Sequence, residues 1–454
     1  MSNAKRDENR IPTIIGVSNV DLATPTLVRV NPTTGALITE GGVSTFSRSA
    51  TKVVAASDSL DTTNVDYLCD GTADDVQIQV AIDALPATGG RVILLEGTYT
   101  LATKLTIVKS GVTLQGQGKG TVVTLVNAAN TDILYLGDDV STKYRITIKD
   151  IYFDGNQANQ GATSYIINNY DASNPIQQVL ITGCYFVNAR DGAFKSWEDY
   201  QVIDDCFFEN WKDGSSAVYF ESISILNNCN FVTTNTTGPF VNDQGGVSQV
   251  SSCRFTVPAS YNDYVIYGCS LVTDCIISCG NNLGAAFEGV TGVTQCIGNN
   301  ISAGTGCNVA GMMIASCTVV IGNALFRGGI GIYSRGQNCI FADNSISTMK
   351  AEAIKINTYA SKSWITVNNN RIIAPGVATN NTYAGILLTG TSTYCTIIGN
   401  TITSEDANKH SYGIREASTA DGPNIITNNI CLNAVTAQIS TQHASTDVSH
   451  NITA

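Results

Sequence analysis

Histidine is almost missing: there are three in 454 residues, His410, His443 and His450, all toward the C-terminal end. A Ser-His-Asp or Cys-His nucleophile is therefore excluded from the central part of the chain, where chemistry must rest on carboxylates, Lys, Arg or Tyr. Charge is scarce too, at 14% Asp, Glu, Lys and Arg, too little for helices laced with ion pairs. The balance is acidic, with a net charge of −12, and a nucleic-acid partner is not expected. No apolar run reaches the ~18 residues of a membrane span. The polar opening Met1-Ser2-Asn3-Ala4-Lys5-Arg6 does not read as a signal peptide.

What the chain has instead is Gly, Asn, Ser, Thr, Val and Ile, arranged in a repeat. The stretch Ile181 to Phe186 reads Ile-Thr-Gly-Cys-Tyr-Phe, with an apolar residue three before Cys184 and another two after it. The same frame returns at Cys206, Cys229, Cys253, Cys275, Asn299, Asn323, Asn344, Asn370, Asn400, Asn428 and His450, at intervals of 21 to 30 residues. The position two after each anchor is always apolar, from Phe186 to Ile452. The position three before it fails only at Asp447. Such a period, in units rich in strand and turn residues, is the signature of a β-solenoid. One coil per repeat, stacked at ~4.8 Å, gives a parallel β-helix. At the anchor, a small inward side chain stacks on its equivalent one coil on, Asn by amide hydrogen bonds and Cys as a small hydrophobe.

The chain holds 14 cysteines, five of them in the anchor column, with no Cys-x-x-Cys pair. They read as reduced, buried thiols, with zinc binding by stacked thiols as the alternative. Residues 1–50 lie outside the repeat and read as an adaptor and linker. Residues 51–125 read as an N-terminal cap segment with first coils. Apolar positions 78, 81, 82 and 85 predict a helix over about 74–85, with Thr72 or Asp74 as its cap. Coils follow over 126–454, with residues 157–178 as an excursion before the regular run. The fold expected is an all-β, right-handed parallel β-helix with a capping helix.

Five stretches carry a family resemblance. Asp70-Gly71-Thr72-Ala73-Asp74-Asp75 is followed by Gly89-Gly90-Arg91-Val92, Glu96-Gly97-Thr98-Tyr99 and Val112-Thr113-Leu114-Gln115-Gly116-Gln117-Gly118; then comes Ile146 to Asn156. Together they resemble the pectate-lyase-like right-handed β-helix proteins, a group of tailspike depolymerases, polysaccharide lyases, glycoside hydrolases and polyuronate epimerases. These motifs are structural and transfer no catalytic residue. The opening Lys5 to Pro12 looks like that of phage tail-type proteins, which implies attachment to a particle. The resemblance also implies a homotrimer, folding in host cytoplasm and location in the virion.

A solenoid turns sequence offsets into surface columns ~4.8 Å apart per coil, which brackets the carboxylate separations of glycosidases. Glu198 and Glu221 each stand eight before an anchor, and Asp243 joins them if two residues are inserted. Asp191 and Asp213 each stand seven after an anchor, in Arg190-Asp191-Gly192 and Lys212-Asp213-Gly214 turns. As the bland readings, the first column is a solvated or ion-binding edge and the second a pair of turns. Trp197, Trp211 and Tyr219 are candidate sugar-stacking rings, and Arg190 and Lys195 are candidate ligands for an acidic sugar. Asp154 extends the groove or makes a turn. No cofactor is expected. Ca²⁺ is left open by the clustered acids and by the resemblance, without EF-hand spacing. The expectation is a protein that binds and depolymerises a bacterial surface polysaccharide as hydrolase or lyase. The rivals are a non-catalytic adhesin fibre and a polyuronate epimerase.

Overall fold

A one-residue corner sets each coil. Gly183, Asp205, Asn228, Ser252, Asp274, Gly298, Gly322, Asp343, Asn369, Gly399, Asn428 and His450 all take left-handed backbone, with φ between 51° and 70°. Only Gly, or a short polar residue such as Asn or Asp, adopts that region cheaply, which is why those types recur there. The residue after the corner points inward, and the chain has turned from one sheet into the next.

The computed structural model describes residues 50–454, apart from 138–139, 170–175, 198, 280–287, 292, 304–311, 315–318, 359–362, 380, 405–408 and 420–421, together with four short strands before residue 50. The chain divides into two units, Met1–Ser49 and Ala50–Ala454. In the first, Ile15–Val17 pairs antiparallel with Pro25–Leu27, and Arg29–Val30 with Leu37–Ile38.

In the second, a typical coil has three strands: Gln201–Asp204, then Phe207–Trp211 beyond the corner, then Val218–Phe220. We call the sheets they build A, B and C. Every coil pairs in parallel with the next. In sheet A the inward row runs Ile181, Ile203, Leu226, Val250 and Val272. In sheet B it runs Phe153, Phe186, Phe208, Phe231 and Phe255, whose rings stack with centroids 5.5, 5.0, 4.5 and 4.8 Å apart. Sheet C is a 14-stranded ladder from Leu105–Ile107 to Ala437–Ser440. The inward rows of all three meet in one buried core.

The anchor column behaves as its chemistry demands. The Nδ2 of Asn299 donates to Asn323 Oδ1 at 3.0 Å, and the chain of amides continues through Asn344, Asn370, Asn400, Asn429 and Asn451 at 2.9–3.0 Å. Each Nδ2 also reaches a backbone carbonyl one coil back, as Asn344 does to Val320 at 2.9 Å. The anchors in the last two coils are thus Asn429 and Asn451, one residue beyond the Asn428 and His450 expected. The Asn428-Asn429 doublet and the outward-facing Ile430 and Ile452 mimic the frame one position early. With the true register, Ile426 and Val448 continue the inward row of sheet A, and the exception at Asp447 disappears. His450 is a corner residue, not a packed anchor.

The twelve described cysteines are all unpaired, and all but Cys279 are buried. Burial pushes the Cys296 thiol up to about 12, far from the reactive thiolate. The N-terminal helix α1 covers Asp75–Asp83 and buries Ile78, Ala81 and Ile82. Its start is not capped by a side chain. Asp74 instead accepts from the Gly71 and Thr100 amides at 2.9 and 2.8 Å, and Asp75 from the Ala102 amide at 2.7 Å. The acids of the Asp70–Asp75 motif thus tie the helix to the neighbouring strand. The 157–178 segment is less of an excursion than expected, since Tyr165–Asn169 is a strand of sheet C.

Asn344→Ala removes two donors and an acceptor from the buried ladder and leaves the amide of Asn323 and the Val320 carbonyl unsatisfied. A loss of about 2–6 kcal/mol is expected, at 1–3 kcal/mol for each of the two orphaned groups. It would be read as a lower denaturation midpoint and faster hydrogen exchange at Asn323.

Candidate functional site

Strand pleating turns alternate residues of sheet C outward. The inward row Leu134, Ile167, Phe194, Val218 and Val241 is fully buried. The outward row, in register across consecutive coils, is Tyr135, Asn168, Lys195, Tyr219, Asn242 and Tyr267. It is a strip of rings, amides and a cation, flanked by two carboxylates.

Asp132 begins the cluster. Its carboxylate accepts the Tyr165 amide at 2.7 Å and the Asn168 Nδ2 at 2.9 Å. Burial raises its pKa, outweighing those hydrogen bonds and the attraction of Lys104 and Lys195. Lys195 stands one coil beyond Asn168, its ammonium 5.3 Å from the Tyr165 ring and 5.5 Å from that of Tyr219. Burial lowers its pKa against the pull of Glu221, Asp132 and Asp191. One coil further, the Tyr219 hydroxyl donates to Glu221 at 2.5 Å. Asp132, Asn168, Lys195, Tyr219 and Glu221 are therefore one connected array: a carboxyl biased toward protonation, an amine biased toward neutrality, and a phenol bonded to a carboxylate. Such a set can bind sugar hydroxyls and move protons.

The structure brings together three of the residues expected from sequence: Lys195, Tyr219 and Glu221. Glu198 lies outside the described residues. Trp197 is half-buried, its amide donating to the Asn169 carbonyl at 3.3 Å. Asp243 does not join Glu221, because the register pairs it with Phe220 and points it inward. It is 1% exposed and accepts the amides of Gly245, Gly246, Val247 and Ser248 at 2.7–3.1 Å, so its carboxylate closes a turn. Asp191 is buried, accepting the Ser164 amide at 2.7 Å and pairing with Lys212 at 3.3 Å. Asp213 is exposed and grips the next coil through the Thr236 and Thr237 amides at 2.8 and 2.7 Å. Slight burial would raise its pKa, yet those bonds hold it below the usual range.

Trp211 presents no face to a ligand. It is 2% exposed, packs edge-on against Phe240 at 4.9 Å and donates to the Ser215 carbonyl. The Arg190 Nε is held by the Gln160 carbonyl at 2.9 Å. Asp154 stands on sheet B, level with Val187 and Glu209, so it does not extend the Lys195 strip. It lines a cleft with Asn156 and Asn188. Asp191, Asp213 and Asp243 each already accept backbone amides. Sequence reasoning missed Asp132, Tyr165, Asn168 and Asn242. Their signal was a polar-aromatic column in sheet C, hidden because its offset from the anchor varies.

The strands, corners and ladders define a right-handed parallel β-helix. No family model and no curated protein matches the chain. Among solved structures it is similar to a tailspike protein mutant of E. coli bacteriophage HK620 in complex with pentasaccharide, at 14% identity over 82% of this chain and 75% of that one, with a TM-score of 0.50. It is also similar to the Azotobacter vinelandii mannuronan C-5 epimerase AlgE6 A-module, at 19% identity over 85% and 96% with a TM-score of 0.43. A third is the catalytic unit of a GH87 alpha-1,3-glucanase from Streptomyces thermodiastaticus, at 13% over 84% and 66%, with a TM-score of 0.46. At these identities the shared property is the fold.

One buried titratable group lies apart from this array. His410 is fully buried, and neither ring nitrogen meets a partner among the described residues. Burial, with a smaller push from Lys409, lowers its pKa to about 4. The unfolded chain takes up this proton near 6.5 and the folded chain only near 4, so the folded state loses stability as pH falls through that window. His410→Leu is expected to flatten the decline in denaturation midpoint between pH 6.5 and 4 relative to wild type.

Proposed function

We propose that this protein binds and depolymerises a bacterial surface polysaccharide along the outer face of sheet C. The observation that carries the reading is the connected array of Asp132, Asn168, Lys195, Tyr219 and Glu221. Tyr135, Tyr165, Tyr219 and Tyr267 offer ring surface for sugars, and Asn168 and Asn242 offer both donors and acceptors. Asp132 and Glu221 stand three coils apart, about 14 Å at the parallel spacing. That exceeds the 6.5–9.5 Å of a carboxylate pair acting on one glycosidic bond. Turnover therefore centres on Lys195, Tyr219 and Glu221: Glu221 takes the phenolic proton, the Tyr219 oxygen takes the proton from the sugar carbon that bears the carboxyl group, the C–O bond to the leaving sugar breaks as the ring double bond forms, and the Lys195 ammonium protonates the departing oxygen. Such proton abstraction suits elimination better than displacement, and it needs no cofactor.

A homotrimer carried on a phage tail through residues 1–50 belongs to the same proposal. The outward row of sheet A supports burial against other copies, since it exposes Leu180, Ile225, Ile340 and Ile425 at 38–45%. The second reading is an adhesin that uses the strip for binding alone. The tyrosines and amides favour it equally, whereas the shifted Lys195 and Asp132 favour chemistry.

Incubating the protein with bacterial capsules, O-antigens and polyuronates tests both. Shortened polymer with new unsaturated-uronate absorbance supports elimination. Glu221→Gln and Lys195→Gln are then each expected to lower turnover by at least ~100-fold, within the 10²–10⁴ supplied by a positioned acid or base, with glycan affinity retained. Polymers bound tightly yet left intact would establish the adhesin instead. The pH profile adds a signed test. Asp132 attracts the Lys195 proton, so Asp132→Asn is expected to lower the amine's pKa further and move its limb of the profile to lower pH.

A further inference from the structure

Six registered steps beyond Lys195 on the same outer face, about 29 Å at the parallel spacing, the chemistry changes. The row passes through Tyr267 to Tyr333 and then to Lys355, Leu387 and Arg415. The strands Ile332–Ser334, Ile354–Thr358 and Ala384–Gly390 contain no Asp or Glu. The acid of Tyr412–Glu416, Glu416, is fully buried. In a chain of net charge −12, this is a segment of face with cations and, among the described residues of these strands, no outward carboxylate.

Its centre is Tyr333. The hydroxyl oxygen accepts from Arg335 Nε at 3.2 Å and from Asn357 Nδ2 at 2.9 Å. Both partners are donors at those atoms, so both oxygen lone pairs are engaged and the hydroxyl hydrogen is directed elsewhere. The Arg335 guanidinium lies 5.2 Å and the Lys355 ammonium 5.6 Å from the Tyr333 ring centroid. Lys355 makes no ion pair or hydrogen bond with a described residue. Burial would raise the phenol's pKa, but the two hydrogen bonds and two cations together lower it. The cluster thus gathers an O–H, a guanidinium and an ammonium, all of them donors, on one face.

We propose that Tyr333, Arg335 and Lys355, held by Asn357, form a docking site for the carboxylate of an acidic sugar residue, so that the polymer lying along sheet C is a uronate-containing one. This rests on the reading of sheet C as the glycan face. A planar carboxylate has two acceptor oxygens, which match a guanidinium fork beside a phenolic hydroxyl, with the ammonium as counter-charge. Asn357 acts through Tyr333 and is a positioning residue. The site's distance from Lys195 separates holding the chain from changing it.

The test uses the full chain against an immobilised panel of bacterial capsular polysaccharides, some uronate-containing and some neutral. Oligogalacturonate, its carboxyl-reduced counterpart and a sulfated glycan are added. Wild type is expected to retain uronate-containing members, with affinity falling as salt rises. Lys355→Gln and Arg335→Gln are each expected to weaken that binding about tenfold or more, as for a lost hydrogen bond to a charged group, while Lys355→Arg restores most of it. Tyr333→Phe, which keeps the ring and the fold, is expected to weaken it less. The inference is overturned if wild type retains only neutral or only sulfated members, if it retains none, or if reduced and acidic forms bind alike. It is equally overturned if the two charge removals leave uronate binding unchanged. Cleavage of neutral polymers alone would sink this site and the elimination chemistry, and leave depolymerisation along sheet C standing. Uronate binding lost in Lys355→Gln, with no polymer ever shortened, would keep the site and replace turnover by adhesion.

Discussion

Everything in the solenoid depends on a pair of adjacent positions: a corner residue in left-handed backbone and the small side chain buried after it. The corner bends the chain without a loop, and the buried residue ties that bend to the same bend one coil away. Between Asn299 and Asn451 the tie is an amide ladder in which each side chain donates forward to Oδ1 and back to a carbonyl. Between Cys184 and Cys275 the same space is filled by thiols, each within 3.7–3.8 Å of a carbonyl one coil back. The change from Cys to Asn at Asn299 comes one coil after the change from Phe to Ile at Ile277 in the neighbouring inward row of sheet B. In the N-terminal coils the stacked rings carry much of the packing. In the C-terminal coils, where side chains are smaller, directional hydrogen bonds hold the register.

A fixed register makes each outer face a set of rows whose chemistry can be read independently. Sheet A faces outward with aliphatic side chains. Sheet B presents Tyr152, Tyr185 and Phe207 in a stack with centroids 6.1 and 5.9 Å apart. Sheet C presents tyrosines, amides and cations. Because the inward rows carry the core, the outward strand positions are freer to vary, and a ligand meets what the pleat turns to solvent.

The frame and fold were legible from Cys184 onward because corner and anchor sit next to each other and never separate. The one slip, at Asn428, came from two consecutive asparagines, of which only backbone conformation says which turns and which is buried. The site was less legible, for a specific reason. Sheet C is joined to the anchors by turns of unequal length, and one residue more separates Phe194 from Cys206 than Val218 from Cys229. Counting back from the anchor therefore misaligned Glu221 and Asp243, although Lys195 and Tyr219, which pair directly, were both on the page. A strand inside 157–178 hid Tyr165 and Asn168 in the same way. The rings divided by pleat: Tyr219 faces out and Trp211 faces in, a distinction of parity that composition does not carry.

The misassigned acids also explain why a solenoid so poor in charge keeps these carboxylates. Asp191, Asp213, Asp243 and the fully buried Glu416 each accept backbone amides across or within coils, where a loop has left N–H groups without a strand partner. Glu416 alone takes the Gln442 and His443 amides together with Asn424 and Thr446. Removing such a carboxylate would orphan the donors it satisfies, so these positions are pinned by folding. Glu221 differs in kind. Asp132 holds one backbone amide, whereas Glu221 is bonded to a side-chain hydroxyl rather than closing a turn. Glu221, beside Lys195 and Tyr219, is thus held by a side chain and not by a turn, which is what the proposed chemistry asks of it.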